Sequence, residues 1–197
     1  MATAADLALA NRLAEAAGEA IRPLFRGEWS QEQKTDRTFV TEADRAAEAA
    51  MRSGAGYVKL LSEHAHPDAP AELVIEQGDF ARAIDDERIS AFLVGPGLGR
   101  DEQACERLAA VLERGRPTIL DADALHLIDR ALLAKADPAK LCVTPHEGEL
   151  AKLCDSFGVG ADCKLDRSRR LHDVTGVTVL AKGPDTILIG DGMTSLF

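Results

Sequence analysis

Apolar positions change their rhythm along the chain near Met51. Upstream, Leu9, Leu13, Ala16, Ala17, Ala20, Ile21 and Leu24 recur at helical spacing, which predicts an amphipathic helix that Pro23 begins to close. A polar stretch over 27–37 separates it from a second, alanine-rich helix that opens at Thr41 and runs to Met51. From Ser53 onward, short β-rich runs alternate with helical ones. The expected strands cover 57–61, 73–76, 91–94, 118–120, 141–143 and 177–181, and the expected helices cover 102–113, 124–134, 147–156 and 167–174. Near the end, 186–189 and 194–197 flank Asp191-Gly192, a good hairpin turn. This pattern predicts an α/β fold, a mostly parallel sheet with helices on both faces, preceded by an N-terminal helical segment. The expected division is 1–51 and 52–197. Because Phe197 falls inside a strand-like run, the sheet is expected to be incomplete.

Composition narrows the classes of function. The 197 residues are 46% hydrophobic and 28% charged, ordinary for a globular chain and unlike a disordered one. Lys and Arg number 23 against 33 Asp and Glu, a net charge of −10, so a phosphate backbone is repelled and nucleic acid is not an expected partner. Cys105, Cys142, Cys154 and Cys163 form no C-x-x-C pair and share no metal-ligand spacing with the five histidines. The first residues lack the basic and apolar regions of a signal peptide, and no run approaches the ~18 apolar residues of a membrane span. A reduced, cytoplasmic protein without a membrane partner is expected.

Four polar turns carry the candidate chemistry. In Val94-Gly95-Pro96-Gly97-Leu98-Gly99-Arg100-Asp101 a strand enters a glycine-rich turn and then a helix. Such glycines let backbone N–H groups approach a ligand, and the helix start favours an anion, although a plain connection reads the same. In Thr144-Pro145-His146-Glu147-Gly148-Glu149-Leu150, His146 stands at a strand's carboxyl end, where open α/β sheets place ligands. The Thr144-to-Glu147 spacing fits a capping box, so Glu147 is expected to start the helix and His146 to serve the site. Lys182-Gly183-Pro184-Asp185-Thr186 suits a nucleotide's phosphate or adenine, or is a simple hairpin turn. Asp121 and Asp123 are candidates to hold Mg²⁺ or a substrate hydroxyl, Asp123 alternatively capping the next helix. All four turns fall at the ends of successive strands, which points to a nucleotide-handling enzyme.

Five ordered segments resemble the ADP/ATP-dependent NAD(P)H-hydrate dehydratases of the ribokinase-like superfamily. They are Ser53-Gly54-Ala55-Gly56-Tyr57-Val58-Lys59-Leu60, the glycine-rich turn, the run from Thr118 to Leu125, the His146 turn, and the run from Thr175 to Thr186. The resemblance covers about 52–197. It implies a ribokinase-like fold and the ADP-dependent (or ATP-dependent) dehydration of (S)-NADHX and NADPHX back to NADH and NADPH, with Mg²⁺ assisting. In that chemistry a phosphoryl group passes to the ring hydroxyl and departs as phosphate, a far better leaving group than hydroxide. The resemblance further implies that Gly97, Gly99 and His146 contact the hydrate and that Lys182, Gly183, Pro184, Asp185 and Thr186 hold the nucleotide. The family's catalytic Asp lies in a Gly-x-Gly-Asp turn expected beyond Phe197, so no catalytic base is assigned and low turnover is expected. The family's opening strand and Gly-Ala turn before Ser53 are also missing. Alternatives are a ribokinase-like kinase of a vitamin precursor and a non-catalytic nucleotide-binding remnant.

Residues 1–51 resemble the start of inositol-monophosphatase-like enzymes, histidinol-phosphatase members included, through Lys34 and Val40-Thr41-Glu42-Ala43-Asp44. Thr41 to Asp44 also fits a capping box. The Glu-Glu and Asp-Pro-x-Asp-Gly carboxylates of that family do not occur, so paired-metal phosphatase chemistry is not expected. The chain therefore reads as a chimera joined near Met51, and an exposed sheet edge is expected to promote homo-oligomers.

Overall fold

A computed structural model describes residues 42–62 and 71–197. The chain divides into two compact units, Met1–Gly78 and Asp79–Phe197, which does not coincide with a division at Met51. The expected helix over 9–24, Lys34, Val40 and Thr41 lie outside the described residues.

In the first unit, helix α1 (Glu42–Arg52) is followed by a reversal in which the Ser53 hydroxyl donates to the Ala50 carbonyl at 2.7 Å. Gly54 takes a φ of 92° there, a conformation other residues avoid. Strands β1 (Lys59–Leu61) and β2 (Val74–Glu76) then pair in parallel, Leu60 opposite Ile75. Ala47, Leu60 and Leu73 form the buried centre, with Met51, Val58 and Ile75 packed against it.

The second unit opens with the short helix α2 (Phe80–Ile84), whose cap Asp79 accepts from the Ala81 and Arg82 amides. Strand β3 (Phe92–Val94), helix α3 (Glu102–Glu113), strand β4 (Thr118–Leu120), helices α4 (Asp123–Leu127) and α5 (Arg130–Leu133), and strand β5 (Leu141–Val143) follow. Helices α6 (Glu147–Phe157) and α7 (Lys164–Thr175) together bridge to strand β6 (Thr178–Ala181). Strands β7 (Ile187–Gly190) and β8 (Met193–Leu196) end the sheet. Its order is β3-β4-β5-β6-β7-β8, parallel through β6 and antiparallel beyond. The mostly parallel α/β sheet predicted from the pattern is thus present, and so is the Asp191-Gly192 hairpin between Gly190 and Met193.

Register explains the core. Leu120, Val143, Val179 and Ile189 stand opposite one another across four strands, and all are at most 3% exposed. Onto this row pack Leu108 and Leu112 of α3, Leu125 of α4, Leu150 and Leu153 of α6, and Leu171 of α7. Each such leucine contributes about 1.5–3 kcal/mol on burial. Right-handed crossovers advancing in one direction along a sheet bring their helices to one side, which is how these helices share that row.

Two departures from the periodicity have local causes. The helix expected over 124–134 is broken at Ile128, which turns extended (ψ 125°) and is only 4% exposed. Asp129 then caps α5 by accepting from the Leu132 amide at 2.8 Å. Helix α7 begins ahead of Arg167 because the Cys163 sulfur accepts from the Asp166 amide and provides the cap.

Candidate functional site

Parallel strands point their carboxyl ends the same way, so the turns after β3, β4, β5 and β6 form one rim. Backbone hydrogen bonds continue past the strands and join those turns. The Asp121 amide donates to the Val94 carbonyl at 3.0 Å, that of Thr144 to Leu120 at 3.0 Å, and that of Lys182 to Pro145 at 2.8 Å. Gly95 makes the first junction: at φ 131° its backbone lies so close to β4 that a Cβ would sit 1.7 Å from the Asp121 carbonyl oxygen.

Side chains tie the same turns across the rim. Lys182 Nζ donates to Asp121 Oδ1 at 2.7 Å, joining the ends of β6 and β4. Asp123 reaches the glycine-rich turn, accepting from the Gly99 amide at 3.1 Å and from Arg100 Nε at 2.7 Å. Between the two aspartates, Ala122 has a φ of 47°, costly for a residue with a Cβ, and the two carboxylates reach different partners. Asp121 and Asp123, the candidates for Mg²⁺ or a substrate hydroxyl, thus do not converge on one point. Each carboxylate already has a cation, and no group of three or more His, Cys, Asp or Glu able to hold a metal occurs among the described residues. Nor does Asp123 cap α4 with its side chain: the cap position is Ala122.

His146 is the cap of α6, a role expected instead of Thr144 and Glu147. Its Nδ1 accepts from the Gly148 and Glu149 amides at 3.0 and 3.4 Å, and Glu149 Oε2 accepts from the His146 amide at 2.8 Å. Because Nδ1 is the acceptor, the neutral ring carries its proton on Nε2. That edge lies 3.5 Å from Glu149 Oε1, and the side chain is 63% exposed. Glu147 pairs with Arg167 at 2.9 Å.

The 182–186 turn links β6 to β7 and closes on itself, the Thr186 hydroxyl donating to the Gly183 carbonyl at 3.2 Å. Lys164 Nζ, from the first residue of α7, donates to the carbonyls of Lys182 at 3.0 Å and Asp185 at 2.5 Å. At the α4–α6 side, His126 is held below its usual range by burial and by the nearby Arg100 and Lys152.

Of the residues singled out from sequence, Lys182 meets Asp121 and Gly99 meets Asp123, whereas Gly97 is joined to the others only through its turn. Sequence reasoning passed over Arg100, Lys164 and His126. Arg100 directly follows Gly99, a usable signal; Lys164 had none, being 18 residues from its partner Lys182. A groove lined by Arg130, Leu133, Ala136, Pro138 and Phe157 lies among the elements at the strands' amino ends, away from this rim.

Comparison with known proteins places this architecture. The bifunctional NAD(P)H-hydrate repair enzyme Nnr of Mycobacterium tuberculosis is 37% identical over 106 residues, 53% of this chain and 22% of that protein. The ATP-dependent (S)-NAD(P)H-hydrate dehydratase of Mycosarcoma maydis is 34% identical over 120 residues, 56% of this chain and 34% of that one. The chain thus spans about a third or less of the length of these relatives. Among solved structures, Bacillus subtilis YxkO, a UPF0031 family member, superposes with a TM-score of 0.61 at 26% identity, covering 79% of this chain and 60% of that one. The B. subtilis ADP/ATP-dependent NAD(P)H-hydrate dehydratase co-crystallized with ATP/Mg²⁺ gives 0.61 at 24% identity, over 79% and 59% of the two chains, and shares the fold. The fold is ribokinase-like. A family model described as NAD(P)H-hydrate dehydratase matches residues 44–196, taking in Asp44 and most of α1, so the dehydratase likeness begins upstream of the expected junction. The phosphatase likeness of 1–51 finds no support in these matches. By that match over most of its length, the chain belongs to the NAD(P)H-hydrate dehydratase family.

Proposed function

We propose that the rim binds an adenine nucleotide beside a hydrated nicotinamide dinucleotide, and that the chain's chemistry is the ADP- or ATP-dependent dehydration of (S)-NADHX and NADPHX. One observation carries this reading: Lys182 of the nucleotide turn is bonded to Asp121, which is set against the backbone of the glycine-rich turn. Two ligands held on those turns are therefore neighbours, as phosphoryl transfer between them requires.

The residues divide the work by their free groups. Lys182 to Thr186 surround the nucleotide, with Lys182 held in place by Asp121. His146, exposed at the rim with its Nε2 edge beside Glu149 Oε1, turns Nε2–H to a carbonyl or phosphate oxygen of the hydrate when that ligand binds. The Gly99 amide is already committed to Asp123, so at Gly99 the absent side chain gives room, while Gly97 offers its backbone. The nucleotide's terminal phosphoanhydride P–O bond breaks as a P–O bond forms to the ring hydroxyl oxygen, which gives up its proton; the ring C–O bond then breaks with release of phosphate, and loss of a proton from the adjacent ring carbon restores the ring double bond. Family chemistry uses Mg²⁺, but Asp121 and Asp123 do not fit as its ligands, and none of these roles depends on it. The setting we infer is cytoplasmic, where both dinucleotides occur, with self-association through the sheet edges.

The test follows NADHX consumption and phosphate release with ADP, beside calorimetric titration of ADP. Release of phosphate in step with NADH formation supports the reading. A stable phosphorylated product would mark a kinase instead, and absence of heat at millimolar ADP would remove the nucleotide site.

A further inference from the structure

Lys164 occupies an unfavourable place for a cation. It is the first residue of α7, where the helix dipole and the free N–H groups favour negative charge. Its ammonium instead reaches across to the β6–β7 turn and donates to two carbonyls there, those of Lys182 and Asp185. These two carbonyls bracket the turn, so one side chain sets its width. Gly183 fits the same arrangement: a Cβ at that position would lie 2.7 Å from Lys164 Nζ, so the turn wraps closely around the ammonium. Asp185's carboxylate has no part in this. Lysine bonds to backbone oxygen are charge-assisted and stronger than neutral ones.

We propose that Lys164 is a positioning residue for adenine-nucleotide binding: it holds the 182–186 turn in its binding shape and places a positive charge under it, without touching the hydrate. This rests on the nucleotide role of the turn given above. Lys164→Met keeps the apolar stem and removes both hydrogen bonds, whereas Lys164→Arg keeps a cation able to reach the carbonyls. In the full chain, Lys164→Met should weaken ADP binding about tenfold or more, leave NADHX binding within about twofold, and be largely rescued by Lys164→Arg. Unchanged ADP affinity in Lys164→Met would overturn the proposal, as would an equal loss for both ligands, which marks a general folding defect. Hydrogen exchange of the ligand-free chain gives a second, independent measure. The amides of Gly183, Asp185 and Thr186 should exchange faster in Lys164→Met while those of α6 are unaltered; unchanged exchange at the turn overturns the pinning. If the unsubstituted chain binds no ADP yet this exchange difference appears, the nucleotide reading fails and the pinning stands.

Discussion

At Gly95, the missing side chain is a packing requirement as well as a conformational one. A methyl group there would meet the Asp121 carbonyl at 1.7 Å, and the φ of 131° already disfavours any L side chain. Gly95→Ala should therefore destabilise the chain by roughly 3 kcal/mol, read as a lowered urea midpoint at unchanged slope, because backbone and not a flexible side chain must move. Cys142 makes a different residue-scale prediction. Burial pushes its thiol from 9.0 up to about 12, with the Asp121 charge adding to the effect. Above about pH 9 the unfolded chain releases this proton while the folded chain keeps it, so stability present at neutral pH drains away towards pH 12. Cys142→Ala should flatten that alkaline loss in unfolding curves measured from pH 8 to 11; an unchanged slope would place the thiol in contact with water.

Among the elements, strands β3, β4 and β5 were legible because each short run, Phe92–Val94, Thr118–Leu120 and Leu141–Val143, is closed at the rim by Gly95, Asp121 or Thr144. Helix α3 emerged with its predicted bounds, since Asp101 caps it and Leu108, Val111 and Leu112 keep a single buried stripe. The break at Ile128 was hidden because Leu125, Ile128 and Leu132 also satisfy helical spacing; only tertiary burial of Ile128 decides for the extended turn. Helix α2 was missed because five residues are too few to show a period. The site was half legible: glycine-rich turns announce themselves, whereas the pairings Lys182–Asp121 and Arg100–Asp123 span 61 and 23 residues and have no local signal. The His146 cap was misread because histidine is a rare cap, and Thr144 offered a commoner one. Helix α6 supplies the test of its double role. His146→Ala should cost about 1 kcal/mol of stability through the lost cap, and His146→Asn should restore it. Neither variant should recover NADHX affinity if Nε2–H meets the hydrate, so a separation of stability from binding in the asparagine variant is the expected result.

Taken whole, the molecule carries a net charge of −10, and both ligands it is proposed to hold are anions. Its rim offsets this only in part, because Lys182 faces Asp121, Arg100 faces Asp123 and Arg167 faces Glu147 in direct ion pairs, whereas Lys164 is bonded to backbone carbonyls of the 182–186 turn. On the reading proposed above, further counter-charge would come from Mg²⁺ accompanying the nucleotide and not from an ion held by Asp121 or Asp123. Asp121→Asn separates the two cases. Removing the carboxylate frees the Lys182 ammonium and takes one negative charge from the rim, so ADP should bind about threefold or more tightly, the more so at low salt. The gain that Mg²⁺ brings to ADP binding should persist in Asp121→Asn and in Asp123→Asn alike when the metal is stripped with a chelator and restored. Were the Mg²⁺ effect to vanish in either variant, that aspartate would be a metal ligand after all, exchanging its lysine or arginine for the ion when nucleotide is bound.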